Sequence, residues 1–220
     1  DAPPDLAPRF NVAPGQDVAT VWRPPSGPRA LQMRRWGLVP HWARDARIGS
    51  RLVNARAESA AEKPAFRDAL RRRRCLVPAD GFYEWAAAGR GPRQPYHIAF
   101  AGRAPFAIAG LFERWRAEDG GSLETCVLLT VAPNEQIRTL HDRMPAILAR
   151  SDWAAWLDPE LRDPERVRVL LAPWAGPRLE ARPVSRRVNR PEHDDPECLA
   201  PPELGPLTAL FQQPDPPGST

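Results

Sequence analysis

Proline sets the first limit on this chain. Of its 220 residues, 28 are proline, more than twice the usual share of about 5%. Each one fixes φ, removes a backbone donor and breaks the interior of a helix or a central strand. They punctuate most segments, as in WRPPSGPRA, CLVPADG, LAPWAGP and RPEHDDPECLAPP. The chain therefore reads as many short elements joined by much loop, not as a bundle of long helices. Its length suits one domain with enough core to fold without staples.

Between the breaks the pattern is mostly that of strands. DVATVW (17–22) and ALQMRRW (30–36) are strand-like and joined by a Pro/Gly/Ser turn. GLVPHWARD (37–45) reads as loop, and further strands are expected over 75–77, 82–85, 95–100, 106–115 and 123–131. One helix is expected over roughly 58–73, where Ala61, Ala65, Phe66, Ala69 and Leu70 have helical spacing and Pro64 disturbs the first turns. Arg71 to Arg74 fall at its C-terminal end, where cations favour the dipole. Asn134 predicts the N-cap of a short helix to Leu140, Ser151 the cap of DWAAWLD, and Pro164 the first turn of PERVRVLLA. LEARPVS is a late strand, and the end after Leu199 is a proline-rich tail with at most a short helical turn. No repeat and no internal boundary is visible. The fold class expected is α+β, a single β-rich domain.

Charge and cysteine usage exclude several classes. The net charge is +4, with 31 basic residues, nearly all arginine, facing 27 acidic ones. That permits nucleic-acid binding, and arginine's planar fork suits phosphate. Cys75, Cys126 and Cys198 are widely spaced, with no CxxC and no Cys/His cluster, so no metal site is expected. The pattern is that of a reduced, cytoplasmic protein. No apolar run reaches the ~18 residues of a membrane span, and no signal peptide is expected. Gly-rich phosphate loops, GxSxG and HExxH are absent.

Four segments hold residues suited to chemistry. In CLVPADGFYEW a carboxylate, Glu84, lies between Tyr83 and Trp85. Strand alternation puts Glu84 on the face of Phe82 and opposite Tyr83. It is either a solvent-facing strand residue or a carboxyl raised toward neutrality by burial and fit for proton transfer. His141 in TLHDRMPAIL is either a helix-end cation or a proton shuttle. In VNARAES, Asn54 is a helix cap or a holder of a reacting polar group, and Arg56 covers surface or binds phosphate. RRWGLVPHW interleaves Arg34, Arg35, Trp36, His41 and Trp42, a mixture that suits single-stranded nucleic acid, although tryptophan in a β-rich protein is more often core.

Taken in order, RFNVAP, RWGLVPHW, NARAES, CLVPADGFYEW, LLTVAPN, HDRMPAIL, PVSRRVN and PECLAP resemble the SRAP family (SOS response-associated peptidase, the abasic-site processing proteins). The resemblance covers nearly all of residues 8–202. It implies a SRAP domain over 1–202, mostly antiparallel strands forming a barrel-like core with short peripheral helices, followed by the tail 203–220. It implies a monomer that recognises abasic sites in single-stranded DNA and attaches to them covalently, in the cytoplasm and on the nucleoid, with no cofactor and no membrane. Asn54, Glu84 and His141 match the family's active-site asparagine, glutamate and histidine. Arg56, Arg143, Trp42, Trp85, Pro14 and Thr130 fall in or beside motifs that line the DNA groove.

In this family the nucleophile is a cysteine directly after the initiator Met, whose amine and thiol both react. Residue 1 here is Asp and no cysteine precedes Cys75, so the nucleophile segment is expected upstream of residue 1. The resemblance further implies removal of the initiator Met, the act the peptidase label fits, and weak lyase activity through the Schiff base. Two other readings stand beside it: a non-covalent single-stranded DNA-binding module, and a Cys/His hydrolase using Cys75, His141 and Glu84. The second is weakened by the apolar run around Cys75, which suggests burial and a raised thiol pKa.

Overall fold

The computed structural model describes residues 6–86 and 92–203. Eleven strands are present among them: β1 Asp17–Trp22, β2 Ala30–Trp36, β3 Asn54–Arg56, β4 Arg74–Ala79, β5 Phe82–Ala86, β6 Gln94–Phe100, β7 Phe106–Arg116, β8 Ser122–Val131, β9 Met144–Pro145, β10 Ile147–Leu148 and β11 Leu179–Pro183. Four short helices accompany them: α1 Ala57–Ala60, α2 Arg67–Arg72, α3 Trp153–Trp156 and α4 Pro164–Val169. The α+β class follows directly.

The strands form two sheets. In the larger one β1 pairs antiparallel with β2 and β4, β4 with β7, and β7 with β8. β8 then pairs parallel with β2 through Arg35↔Thr125 and Trp36↔Cys126. These pairings close a ring, β1–β2–β8–β7–β4, the barrel-like core. β3 adds to β8 in parallel, and β9 and β10 pair with β8 and β7. The second sheet is β11–β6–β5, antiparallel throughout.

The central strands β4 and β7 are buried on both faces, without a break over Arg74–Val77 and Phe106–Glu113. Leu76, Ile108, Leu111, Val127 and Leu129 are buried in one large cluster. Arg34 breaks the expectation for its motif. It is fully buried, with its guanidinium carbon 4.0 Å from the centre of the Phe112 ring and 5.4 Å from that of Trp22, and cannot reach a nucleic acid. Gly37 has φ +136° and packs on Gly49; a Cβ on Gly37 would lie 2.8 Å from the Gly49 carbonyl oxygen. That contact holds the segment after β2 against the 3-10 helix Ala46–Arg51.

The helices depart from the sequence reading. The helix expected over 58–73 is two pieces, α1 and α2, joined by turns. Pro64 has no N–H to continue α1, and the amides of Phe66 and Arg67 both turn back to the Lys63 carbonyl at 2.9 Å. Asn134 does cap, its side chain accepting from the Ile137 amide at 3.1 Å, but isolated turns follow instead of a helix. Ser151 caps nothing: it lies inside the turn Arg150–Asp152, and its hydroxyl meets the Asp152 carboxylate at 3.2 Å. Pro164 opens α4 as expected, behind Asp163, which accepts from the Glu165 amide. Residues 204–220, nearly all of the expected tail, lie outside the described residues.

Arg74 ties β4 to α2 and α3. It is 5% exposed, and its guanidinium donates to the carbonyls of Leu70 and Arg71 at the end of α2 and of Trp156 at 2.7 Å. A lysine has no planar fork to reach these acceptors together. Arg74→Lys should therefore lower the unfolding free energy by about 2–3 kcal/mol in a urea titration, with the m-value unchanged.

Candidate functional site

The two sheets meet around a cavity of about 800 Å³. One wall comes from β3 and β8. In β3 the NAR alternation buries Ala55 at 1% and turns Asn54 and Arg56 outward on the same face. The parallel register sets Arg56 opposite Thr130. Arg143, just before β9, donates to the Thr130 carbonyl at 2.5 Å, so Arg56, Thr130 and Arg143 form one polar edge.

The facing wall is β5. Its alternation splits the GFYEW motif between two clusters. Phe82 packs on the main core, edge-on to Phe106 at 6.5 Å between ring centres. Tyr83 and Trp85 pack on the opposite side against Val184, Val188 and Cys198. Glu84 is left facing the cavity, its side chain 19% exposed. Among the described residues its carboxylate accepts no hydrogen bond. Burial therefore raises its pKa above the usual carboxylate value; the His141 charge opposes the shift and the Asp142 charge adds to it.

His141 is carried by the loop between β8 and β9. The loop is anchored by the buried Ile137 side chain, and the His141 amide donates to the Ile137 carbonyl at 2.9 Å. The imidazole Nδ1 lies 3.9 Å from Glu84 Oε2 and 3.3 Å from Asp142 Oδ1. It accepts from the Arg143 amide at 3.1 Å. A carboxyl with a raised pKa and an imidazole within 4 Å form a pair able to exchange and deliver protons.

The sequence model of the family described as "SOS response associated peptidase (SRAP)" matches residues 1–191. The chain belongs to the SRAP family. It is 43% identical to the abasic site processing protein YoaM of Bacillus subtilis (strain 168), over 89% of this chain and 86% of that one. It is 42% identical to the abasic site processing protein YoqW of the same organism, over 87% and 85%. A crystal structure of a protein from Bacteroides thetaiotaomicron superposes with a TM-score of 0.76 at 28% identity, covering 85% of this chain and 82% of the other.

Of the residues that the resemblance to this family singled out, Pro14, Asn54, Arg56, Glu84, Trp85, Thr130, His141 and Arg143 all border the one cavity. Trp42 does not. It is 52% exposed on the turn after β2, where Ala43 bonds back to Pro40. The hydrolase assembly of Cys75, His141 and Glu84 does not form. Cys75 is fully buried in β4 outside the cavity, and burial pushes its thiol up to about 12.

Several residues at the site escaped the sequence reading. Asn189 accepts from the Trp85 indole N–H at 2.7 Å and fixes the ring at the cavity rim. Asn11, 5% exposed, donates to the carbonyls of Val188, Arg190 and His193. Asp194 accepts from the amides of Phe10 and Asn11 and pairs with Arg9. This clamp fastens residues 9–11, which border the cavity, to a segment more than 170 positions away. Only the paired polar residues in RFN and PEHDD hint at it, and nothing in their spacing links them.

The raised Glu84 pKa fixes the sign of a stability effect. A carboxyl whose folded pKa exceeds its unfolded one, about 4.3, costs stability where it is ionised and costs nothing below the unfolded value. Glu84→Gln should therefore unfold at higher denaturant than the parent at pH 8. That gain should shrink toward zero as pH falls toward 4, followed by urea titration across the range.

Proposed function

We propose that this chain senses abasic sites in single-stranded DNA and joins to them covalently, using a cysteine upstream of Asp1. One observation carries the reading: Asn54, Glu84 and His141 face one cavity edged by Arg56 and Arg143, in a family whose relatives are named abasic site processing proteins.

The chemistry asks for what the cavity offers. An abasic deoxyribose equilibrates with its open-chain aldehyde. An α-amine, with a pKa near 8, is partly free base at neutral pH and adds to the aldehyde carbon. The carbinolamine loses water to give a Schiff base. The thiolate then adds to the imine carbon, the nitrogen takes a proton, and a five-membered thiazolidine closes with net loss of one water. Glu84, with its raised pKa, supplies the proton that leaves with the hydroxyl as water and is reprotonated by the one the thiol gives up. His141 protonates the sugar-ring oxygen to favour the aldehyde, and the same transfer run backward reverses the link. Asn54 holds the amine or the ring through its amide.

Binding rests on charge and stacking. Arg56 and Arg143 take backbone phosphates, with Pro14 and Thr130 beside the strand and Trp85 against a neighbouring base. Trp42, outside the cavity, offers a stacking surface to flanking nucleotides. Sequence preference is slight, because a missing base presents no edge to read. Removal of an initiator Met and weak strand cleavage by β-elimination are further activities of the same site.

The test is a denaturing gel with a single-stranded oligonucleotide carrying one abasic site, comparing residues 1–220 with the chain extended upstream through its cysteine. Only the extended form should give a heat-stable adduct. Glu84→Ala and His141→Ala should each slow it, on the order of 10²-fold. Cys75→Ser should leave the rate within about twofold, because a thiol that stays protonated and buried cannot be the nucleophile. Adduct formation by residues 1–220 alone would overturn the upstream nucleophile.

A further inference from the structure

One cation of the cavity is already occupied. Arg143 donates to both carboxylate oxygens of Glu58 in a fork-to-fork arrangement, each bond 2.8 Å. Glu58 comes from the first turn of α1, immediately after the strand that carries Asn54 and Arg56. Its side chain is 56% exposed and that of Arg143 is 20% exposed. Two oxygens of one anion on a guanidinium edge is also how a phosphodiester binds arginine.

Glu58 is not what keeps Arg143 in place. The same guanidinium donates to the Thr130 carbonyl at 2.5 Å, and the Arg143 amide is fixed on His141 Nδ1. With Glu58 removed, these contacts still aim the fork at the cavity. Arg143 Nε is buried and has no acceptor among the described residues, so Glu58 leaves the guanidinium short of partners. In the other direction, Arg143 is the one side chain that hydrogen-bonds the Glu58 carboxylate among the described residues, beside Glu58's own backbone amide, and Arg56 adds a second positive field around it. Arg56 itself has no ion-pair partner among the described residues. The edge of the cavity thus holds two arginines and one exposed carboxylate in a place that a polyanion is expected to enter.

We infer that Glu58 is a further residue of the binding site, an internal anion that occupies the Arg143 fork in the empty cavity and is exchanged for a backbone phosphate when a strand enters. The inference rests on the reading of the cavity as a single-stranded DNA groove. Its consequence is an affinity held below what the two arginines would give alone. A strand must engage the rest of the cavity before Arg143 changes partner.

Binding of a lesion-free single-stranded oligodeoxynucleotide tests this without any covalent step. Fluorescence anisotropy is measured at several salt concentrations for the parent, Glu58→Gln and Glu62→Gln. Glu62 is an exposed acid just past α1, and its substitution removes the same charge without touching the fork. Glu58→Gln should bind on the order of tenfold more tightly, with its log–log salt slope close to the parent's, because Arg143 meets the same phosphate in both complexes. Glu62→Gln should stay within about twofold of the parent. Adding Arg143→Gln to Glu58→Gln should abolish the gain. If the parent binds and Glu58→Gln binds no more tightly than Glu62→Gln, or more weakly than the parent, the exchange is wrong and Glu58 serves only to hold Arg143. If the parent shows no salt-dependent binding at all, the groove reading itself falls, and the exchange with it.

Discussion

The site depends on β8 being hydrogen-bonded along both of its edges. On one side it runs antiparallel to β7 through seven residue pairs, from Gly110↔Leu128 to Arg116↔Ser122. On the other it takes β2 and then β3 in parallel, and it pairs with β9 at its end. The first pairing closes the barrel, and the others place the chemistry. A parallel partner so short has little pairing energy of its own. β3 is held because Ala55 is buried in the core and because β8 is already fixed by β7. Asn54, Arg56 and Thr130 therefore keep their relative positions from paired strands, and Arg143, in the loop before β9, is tied to them through the Thr130 carbonyl, which is what a preorganised site needs.

Glu84 shows how a carboxylate comes to be buried without being neutralised by a partner. β5 lies between two apolar clusters, with Phe82 committed to one and Tyr83 and Trp85 to the other. The period of two leaves Glu84 no choice of face. Its Oε2 is 3.9 Å from the imidazole of His141, too far for a hydrogen bond but close enough for each charge to act on the other. The carboxyl thus keeps a raised pKa and the proton remains transferable. A direct ion pair would have fixed it in the ionised form.

The chain ends of the domain close the other side of the cavity. Phe10, Tyr83 and Trp85 share a small cluster with Val184, Val188 and Cys198. The Tyr83 hydroxyl donates to the Phe10 carbonyl at 2.6 Å. With the Asn11 and Asp194 clamp, this aligns the early residues along the cavity that holds Glu84. It gives the sequence pairs RFN and PEHDD a shared purpose that neither has alone.

Local chemistry was legible in the sequence. Alternation in FYEW predicted which face Glu84 takes, proline spacing predicted short elements, and the apolar setting of Cys75 predicted a buried, unreactive thiol. Each depends only on neighbours within a few positions. The motif order also sufficed to bring eight of the nine expected site residues to one cavity and to place the chain in its family, although the roles of those residues rest on the proposal above. Local pattern failed where competition was not local. The periodicity over 58–73 is genuine, yet Pro64 and the packing of Phe66 divide that helix. Arg34 looked like a basic residue interleaved with Trp36 and Trp42 of its own motif, but the rings that enclose it, Trp22 and Phe112, come from β1 and β7. The Glu58–Arg143 fork and the Asn11–Asp194 clamp join residues 85 and 183 positions apart. Sequence determined the residue types and the face each presents, because period and propensity are short-range. Only the closed barrel decided which faces meet, because long-range strand pairing is set by the burial of the whole core.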